Sequence, residues 1–85
     1  MKYSLFILRR AQKELSALPH RDYQNVKQAI LLFGDDPRPS GCSKLVGREG
    51  WRIRVGNYRV IYEINDIAKT VDILHIGHRR DIYRR

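Results

Sequence analysis

The sequence predicts an α+β fold: a small β-α-α-β-β-β domain, with a mostly antiparallel four-stranded sheet packed against a helical hairpin. Three observations carry this. Residues 51–62, WRIRVGNYRVIY, alternate with period two on either side of a Gly56-Asn57 break, the pattern of a β-hairpin. Between Ala11 and Phe33 apolar residues recur at helical spacing, interrupted once by Pro19. Two further apolar runs, residues 3–8 and 70–76, have the length of strands rather than of helices.

Residues 3–8, YSLFIL, are apolar almost throughout, so this first strand is expected to be buried on both faces, at an edge or in the middle of the sheet. Ala11, Leu15 and Leu18 follow at i, i+4 and i+7, a short amphipathic helix ended by Pro19, with no good N-cap residue before it. Tyr23, Val26, Ile30 and Phe33 mark the apolar face of a second helix from about Arg21 to Phe33, with Gly34 as its C′ residue. The short Pro19-His20 connection implies an antiparallel helix pair covering one face of the sheet.

Residues 35–43, DDPRPSGCS, form a loop, because Pro37 and Pro39 exclude regular structure. In the hairpin that follows, Val55 faces Tyr58, Arg54 faces Arg59 and Ile53 faces Val60. Its second strand extends to about Ile64, and Asn65-Asp66 begin the next turn. Residues 70–76, TVDILHI, make a last strand ended by Gly77, and HRRDIYRR is a basic tail. Without repeats, low-complexity tracts or linkers, residues 1–85 read as a single domain.

Charge narrows the function. Seventeen Lys+Arg against nine Asp+Glu give a net charge of +8, and twelve of the seventeen are arginine. Arginine is always charged and offers a planar donor fork that matches phosphate. A small Arg-rich domain of this kind has nucleic acid or a strongly acidic protein as its expected partner. The single cysteine, Cys42, excludes an intrachain disulfide and fits a reducing cytoplasm. The apolar run Leu5 to Leu8 is too short for a signal segment or a membrane span, so a cytoplasmic protein without membrane contact is expected.

Strand alternation places Trp51, Ile53, Val55, Tyr58, Val60 and Tyr62 on a core face. Arg54 and Arg59 then lie side by side on the other face, with Arg52 diagonally behind. Like charges directly opposite on a sheet are destabilising, so three arginines there either splay into solvent or present themselves to an anion. A merely solvated face is the plain alternative. Other reactive side chains read as ordinary. His75 shares the parity of Val71 and Ile73 and is a partly buried strand residue; His20 sits in the helix connection. Tyr58 and Tyr62 have core parity, and Cys42 has no base within readable distance. The spacing of His75, His78 and Cys42 fits no zinc pattern, and no cofactor is implied.

The element order, the DDPRPSG loop, the run KLVGREGWRIRVGNYRVIYEI and the segment ILHIGHRRDIY together resemble the RelE family of toxins from type II toxin–antitoxin pairs. The likeness spans essentially the whole chain. RIRVGNYRVIY and GHRRDIY are its specific parts; the helices are not. It implies a RelE-like fold and a toxin that enters the ribosomal A site and cleaves mRNA there. It further implies that the RNA's own 2′-hydroxyl is the nucleophile, that no metal is used, and that an acidic RelB-type antitoxin silences the toxin. Residue by residue, it puts Arg52, Arg54, Arg59, His78, Arg79 and Tyr83 in the catalytic set. Lys44, Arg48, Arg80, Arg84 and Arg85 become flanking RNA contacts.

One departure from the family pattern matters. Studied members carry Lys where this chain has Arg52 and Arg54, and arginine does not act as a base. A Lys-based mechanism is therefore out of place, and proton transfer moves to His78 and Tyr83. The four arginines would stabilise charge on the phosphorane oxygens. Tyr83 would stack on a base or orient the hydroxyl. The nearest rival is the ParE branch of the same fold, which inhibits DNA gyrase by binding it without nuclease activity; GHRRDIY favours RNA cleavage. A pure RNA-binding module is a third reading.

Overall fold

The structure is a computed structural model in which residues 2–78 are described. Seven elements follow in the order β1 (Ser4–Ile7), α1 (Arg9–Ser16), α2 (His20–Leu32), β2 (Ser43–Lys44), β3 (Trp51–Val55), β4 (Tyr58–Asn65) and β5 (Thr70–His78). They build one sheet in the order β1-β5-β4-β3-β2. β1 runs parallel to β5, and the other pairs are antiparallel.

The helices cover one face only. Ala11 and Leu15 of α1 and Val26 and Ile30 of α2, with Phe33, meet Val60, Tyr62, Val71, Ile73 and Ile76 of the two central strands. The Phe33 and Tyr62 rings stack with centroids 4.2 Å apart. As its sequence suggests, α1 starts without a side-chain cap, at Leu8.

The hairpin forms in the register that its two-residue turn dictates: Val55↔Tyr58, Arg54↔Arg59, Ile53↔Val60. Gly56 has a φ of 61° while Asn57 stays at negative φ, as a turn of the II′ kind requires with glycine in first place. The turn after β4 is held by Asn65, whose Oδ1 accepts hydrogen bonds from the amides of Ile67 and Ala68 at 3.1 and 2.9 Å.

Four expectations need correction. The sheet has five strands, not four, because Ser43–Lys44 pair with Trp51 and Arg52 at the end of the Pro-containing loop. β1 is not buried on both faces: Leu5 and Ile7 turn to the core, while Phe6 is 52% exposed. An edge strand roofed by helices on one side alone can bury only every second residue.

The last strand does not stop at Gly77 but runs to His78, paired with Tyr58. Its alternation also breaks. Ile61 pairs with His75 and Tyr62 with Ile73, so β5 bulges at Leu74. Core parity passes from Val71 and Ile73 to Ile76, and His75 leaves the series that sequence parity assigned it. Beyond the end of β1, Glu14 of α1 closes the open edge of β5: Oε1 accepts the Ile76 amide at 2.9 Å, and Oε2 lies 2.6 Å from His75 Nδ1.

Candidate nucleic-acid interface

The sheet face away from the helices is where the arginines gather. Arg54 and Arg59 stand directly opposite one another, and Arg52 is on the same face two residues back along β3. At this register the Cβ atoms of such a pair are roughly 4.5–5.5 Å apart. On its far side Arg59 faces Gly77, which has no side chain. Arg59 is only 7% exposed. Arg52 is half-buried and Arg54 exposed.

These three arginines line a cleft of about 410 Å³ together with Gly41 and Ser43. That is within the ~300–1,000 Å³ range of small-ligand sites. The wall made by Gly41 and Ser43 comes from the loop before β2, which is fastened at several points. The Tyr62 hydroxyl donates to the Pro37 carbonyl at 2.8 Å in the interior. Burial first, and then the Cys42 thiol, push the Tyr62 hydroxyl above its ordinary range, so it stays a neutral donor.

Arg38 makes a forked pair with Asp66, Nη1 to Oδ1 at 3.2 Å and Nη2 to Oδ2 at 2.9 Å. Its guanidinium also lies 5.0 Å from the centre of the Trp51 ring. Tyr3 donates to the same Asp66 at 2.7 Å. The Arg38 guanidinium, and next the Tyr3 hydroxyl, hold the Asp66 carboxyl down at about 2.

The structure thus brings together Arg52, Arg54 and Arg59 of the residues the sequence singled out. It does not bring His78 to them. His78 pairs with Tyr58, whose parity is that of the helix-covered face, and the two rings meet edge-on at 5.7 Å. The bulge at Leu74 is the reason: without the extra residue His78 would have the opposite parity. Lys44 pairs with Trp51, its Nζ 5.6 Å from that ring, and Arg48 lies exposed in the connection from β2 to β3; neither lines the cleft. Arg79, Arg80, Tyr83, Arg84 and Arg85 lie outside the described residues.

Sequence reasoning missed Gly41, Ser43 and Gly77. No sequence signal placed Gly77 here: parity puts it in the row of Val71 and Ile73, and the bulge at Leu74 moves it to Arg59. For Gly41 and Ser43 there was none, since β2 is too short to show alternation. Among the described residues no group of three or more His, Cys, Asp or Glu side chains is placed to hold a metal ion. No described helix is long and apolar enough to cross a membrane.

The profile of the family described as the ParE toxin of type II toxin–antitoxin systems, parDE, matches residues 5–83. Toxin RelG of Mycobacterium tuberculosis is 38% identical over 89 residues, covering 100% of both chains. Among solved structures, the archaeal RelE–RelB complex from Pyrococcus horikoshii gives a TM-score of 0.84 at 30% identity, covering 93% of this chain and 97% of that one. The toxin–antitoxin complex RelBE2 from M. tuberculosis gives 0.80 at 26% identity, covering 93% and 100%. A family match over residues 5–83, a relative alike from end to end and the same sheet and helix arrangement agree: the chain belongs to the RelE/ParE superfamily of type II toxin–antitoxin toxins, on its RelE side.

Proposed function

We propose that this toxin is a ribosome-dependent endoribonuclease that cleaves mRNA in the ribosomal A site, without a metal, and so inhibits translation. The observation that supports it is the row of Arg52, Arg54 and Arg59 around one open cleft. In the proposed reaction the RNA 2′-oxygen attacks the adjacent phosphorus and the bond to the 5′-oxygen breaks. The products are a 2′,3′-cyclic phosphate and a free 5′-hydroxyl. Negative charge grows on the phosphorane oxygens, and Arg54 and Arg59 are fixed cations beside the position where that charge develops.

One proton must leave the 2′-hydroxyl and another reach the departing 5′-oxygen. Arginine can do neither at neutral pH. His78 would have to leave Tyr58 to reach the cleft. Tyr83 is the other side chain proposed near the hydroxyl, with Arg79 as a further cation at the phosphate. Much of the in-line geometry would be supplied by the ribosome.

The antitoxin belongs to the same reading. Relatives of this fold were crystallised as RelE–RelB complexes. We take the partner here to be an acidic RelB-type protein, drawn to a surface of net charge +8, with both acting in the cytoplasm. A second reading, inhibition of DNA gyrase by binding, is favoured by the ParE profile match. One experiment separates them. The toxin is added to programmed ribosomes and mRNA ends are mapped by primer extension, with a gyrase supercoiling assay in parallel. Cleavage by the wild type and its loss in Arg59→Ala are expected; intact mRNA with blocked supercoiling would transfer the protein to the second reading.

A further inference from the structure

We propose that Ser43, on the edge strand β2, touches the RNA and with Arg52 forms a second anion subsite, for the phosphate next to the one being cleaved. The inference rests on the nuclease reading above. Ser43 pairs in register with Arg52, so the two side chains share a row on the sheet face opposite the helices. That row is parallel to the Arg54–Arg59 row and two residues from it, roughly 7 Å at ~3.3–3.4 Å per residue. One cleft contains both rows. An RNA strand crossing the two rows would therefore present one phosphate to each.

Ser43 is exposed, and a hydroxyl can donate to a phosphate oxygen or accept from a 2′-hydroxyl. Next to it, Gly41 has a φ of 95° and nothing within 4 Å of the place where a Cβ would stand. The chain there leaves open space along the cleft wall through which a backbone can pass. The wall is held by the Tyr62–Pro37 hydrogen bond and the Arg38–Asp66 pair, so the hydroxyl arrives on a braced segment. The Arg54–Arg59 row then holds the scissile phosphate, and the Arg52–Ser43 row sets the strand's direction and register.

The test is an NMR titration of the full chain with short RNAs that carry a 2′-deoxy residue at the cleavage position. One RNA has normal phosphates; the other has a neutral methylphosphonate beside the scissile position. With the normal RNA, amides of Gly41, Cys42 and Ser43 should shift along with those of Gly56 to Arg59. The neutral linkage should weaken wild-type binding about 3–10-fold and weaken Ser43→Ala binding by a smaller factor, since Arg52 remains. Ser43→Thr should keep the wild-type response. If Ser43→Ala binds the normal RNA as the wild type does, or feels the neutral linkage as strongly, the subsite is wrong. If Arg59→Ala also binds every RNA like the wild type, the nuclease reading itself fails instead.

Discussion

Two ends of the sheet face opposite the helices repeat one arrangement with opposite sign. Near the hairpin turn Arg54 faces Arg59; toward the other end of β4 Glu63 faces Asp72. Arg59 and Glu63 are on the same strand and the same face, four residues or roughly 13 Å apart. Both pairs set like charges directly opposite each other, which costs stability. Their surroundings differ. The basic pair is flanked by Gly77, and Arg59 is drawn down to 7% exposure. The acidic pair is half-buried and lines a shallow cleft with Asn65, Asp66 and Thr70.

Two cations side by side on one sheet face suit an anion site, because an anion set between them offsets their repulsion. The acidic end does the reverse. Its charge would repel a polyanion and confine it to the hairpin end. On the proposed nuclease reading, the field of the face would orient a nucleic acid as well as attract it.

The basic end is the more sensitive to change. Arg59→Ala should lower the rate of mRNA cleavage on ribosomes by about 10²–10³-fold, the usual cost of one preorganised donor. Thermal melting of the same variant separates that loss from unfolding. Next in size is Tyr62→Phe. It leaves the Pro37 carbonyl without its buried donor and should cost about 1–3 kcal/mol. In a domain of this size that lowers the Tm by roughly 4–8 °C for each kcal/mol. A Tm equal to that of the wild type would show that the loop bearing Gly41 and Ser43 is held by other contacts.

At the acidic end smaller effects are expected. Glu63→Gln should relieve the pair with Asp72 and raise stability by about 0.2–1 kcal/mol. It should also tighten RNA binding at low salt, an effect that fades as salt is added. Looser binding would remove the proposed division of the face. Smallest is the exposed Asp66 pair. Its carboxyl is held down at about 2 by Arg38 and then Tyr3, so its contribution is present above the ordinary carboxylate range, near ~4, and fades as pH falls through 2. Asp66→Asn should flatten the acid limb of a stability–pH curve; an unchanged slope would assign that limb to other carboxyls.

The two pairs were not equally legible. The arginine pair can be read directly, because a two-residue Gly-Asn break leaves one register for the strands beside it. The acidic pair joins strands across a four-residue turn, which fixes the register less tightly than a two-residue one; the bulge at Leu74 lies farther from that turn. Parity counted along TVDILHI puts His75, as a partly buried residue, in one row with Val71 and Ile73; in the fold Ile76 takes that row. The same slip of one residue carries His78 to Tyr58 and away from the arginines.

By itself the sequence determined the element order, the helix faces, the hairpin with its arginine row and the strongly basic charge. Each depends on neighbours within a few positions of the chain, where periodicity and turn chemistry are decisive. Tertiary structure decided the parallel docking of β1, the two-residue strand β2, the bulge at Leu74 and the placement of Gly77 beside Arg59. These depend on which distant strand arrives alongside. An inserted residue or a very short strand leaves no periodic trace of that arrival in the chain.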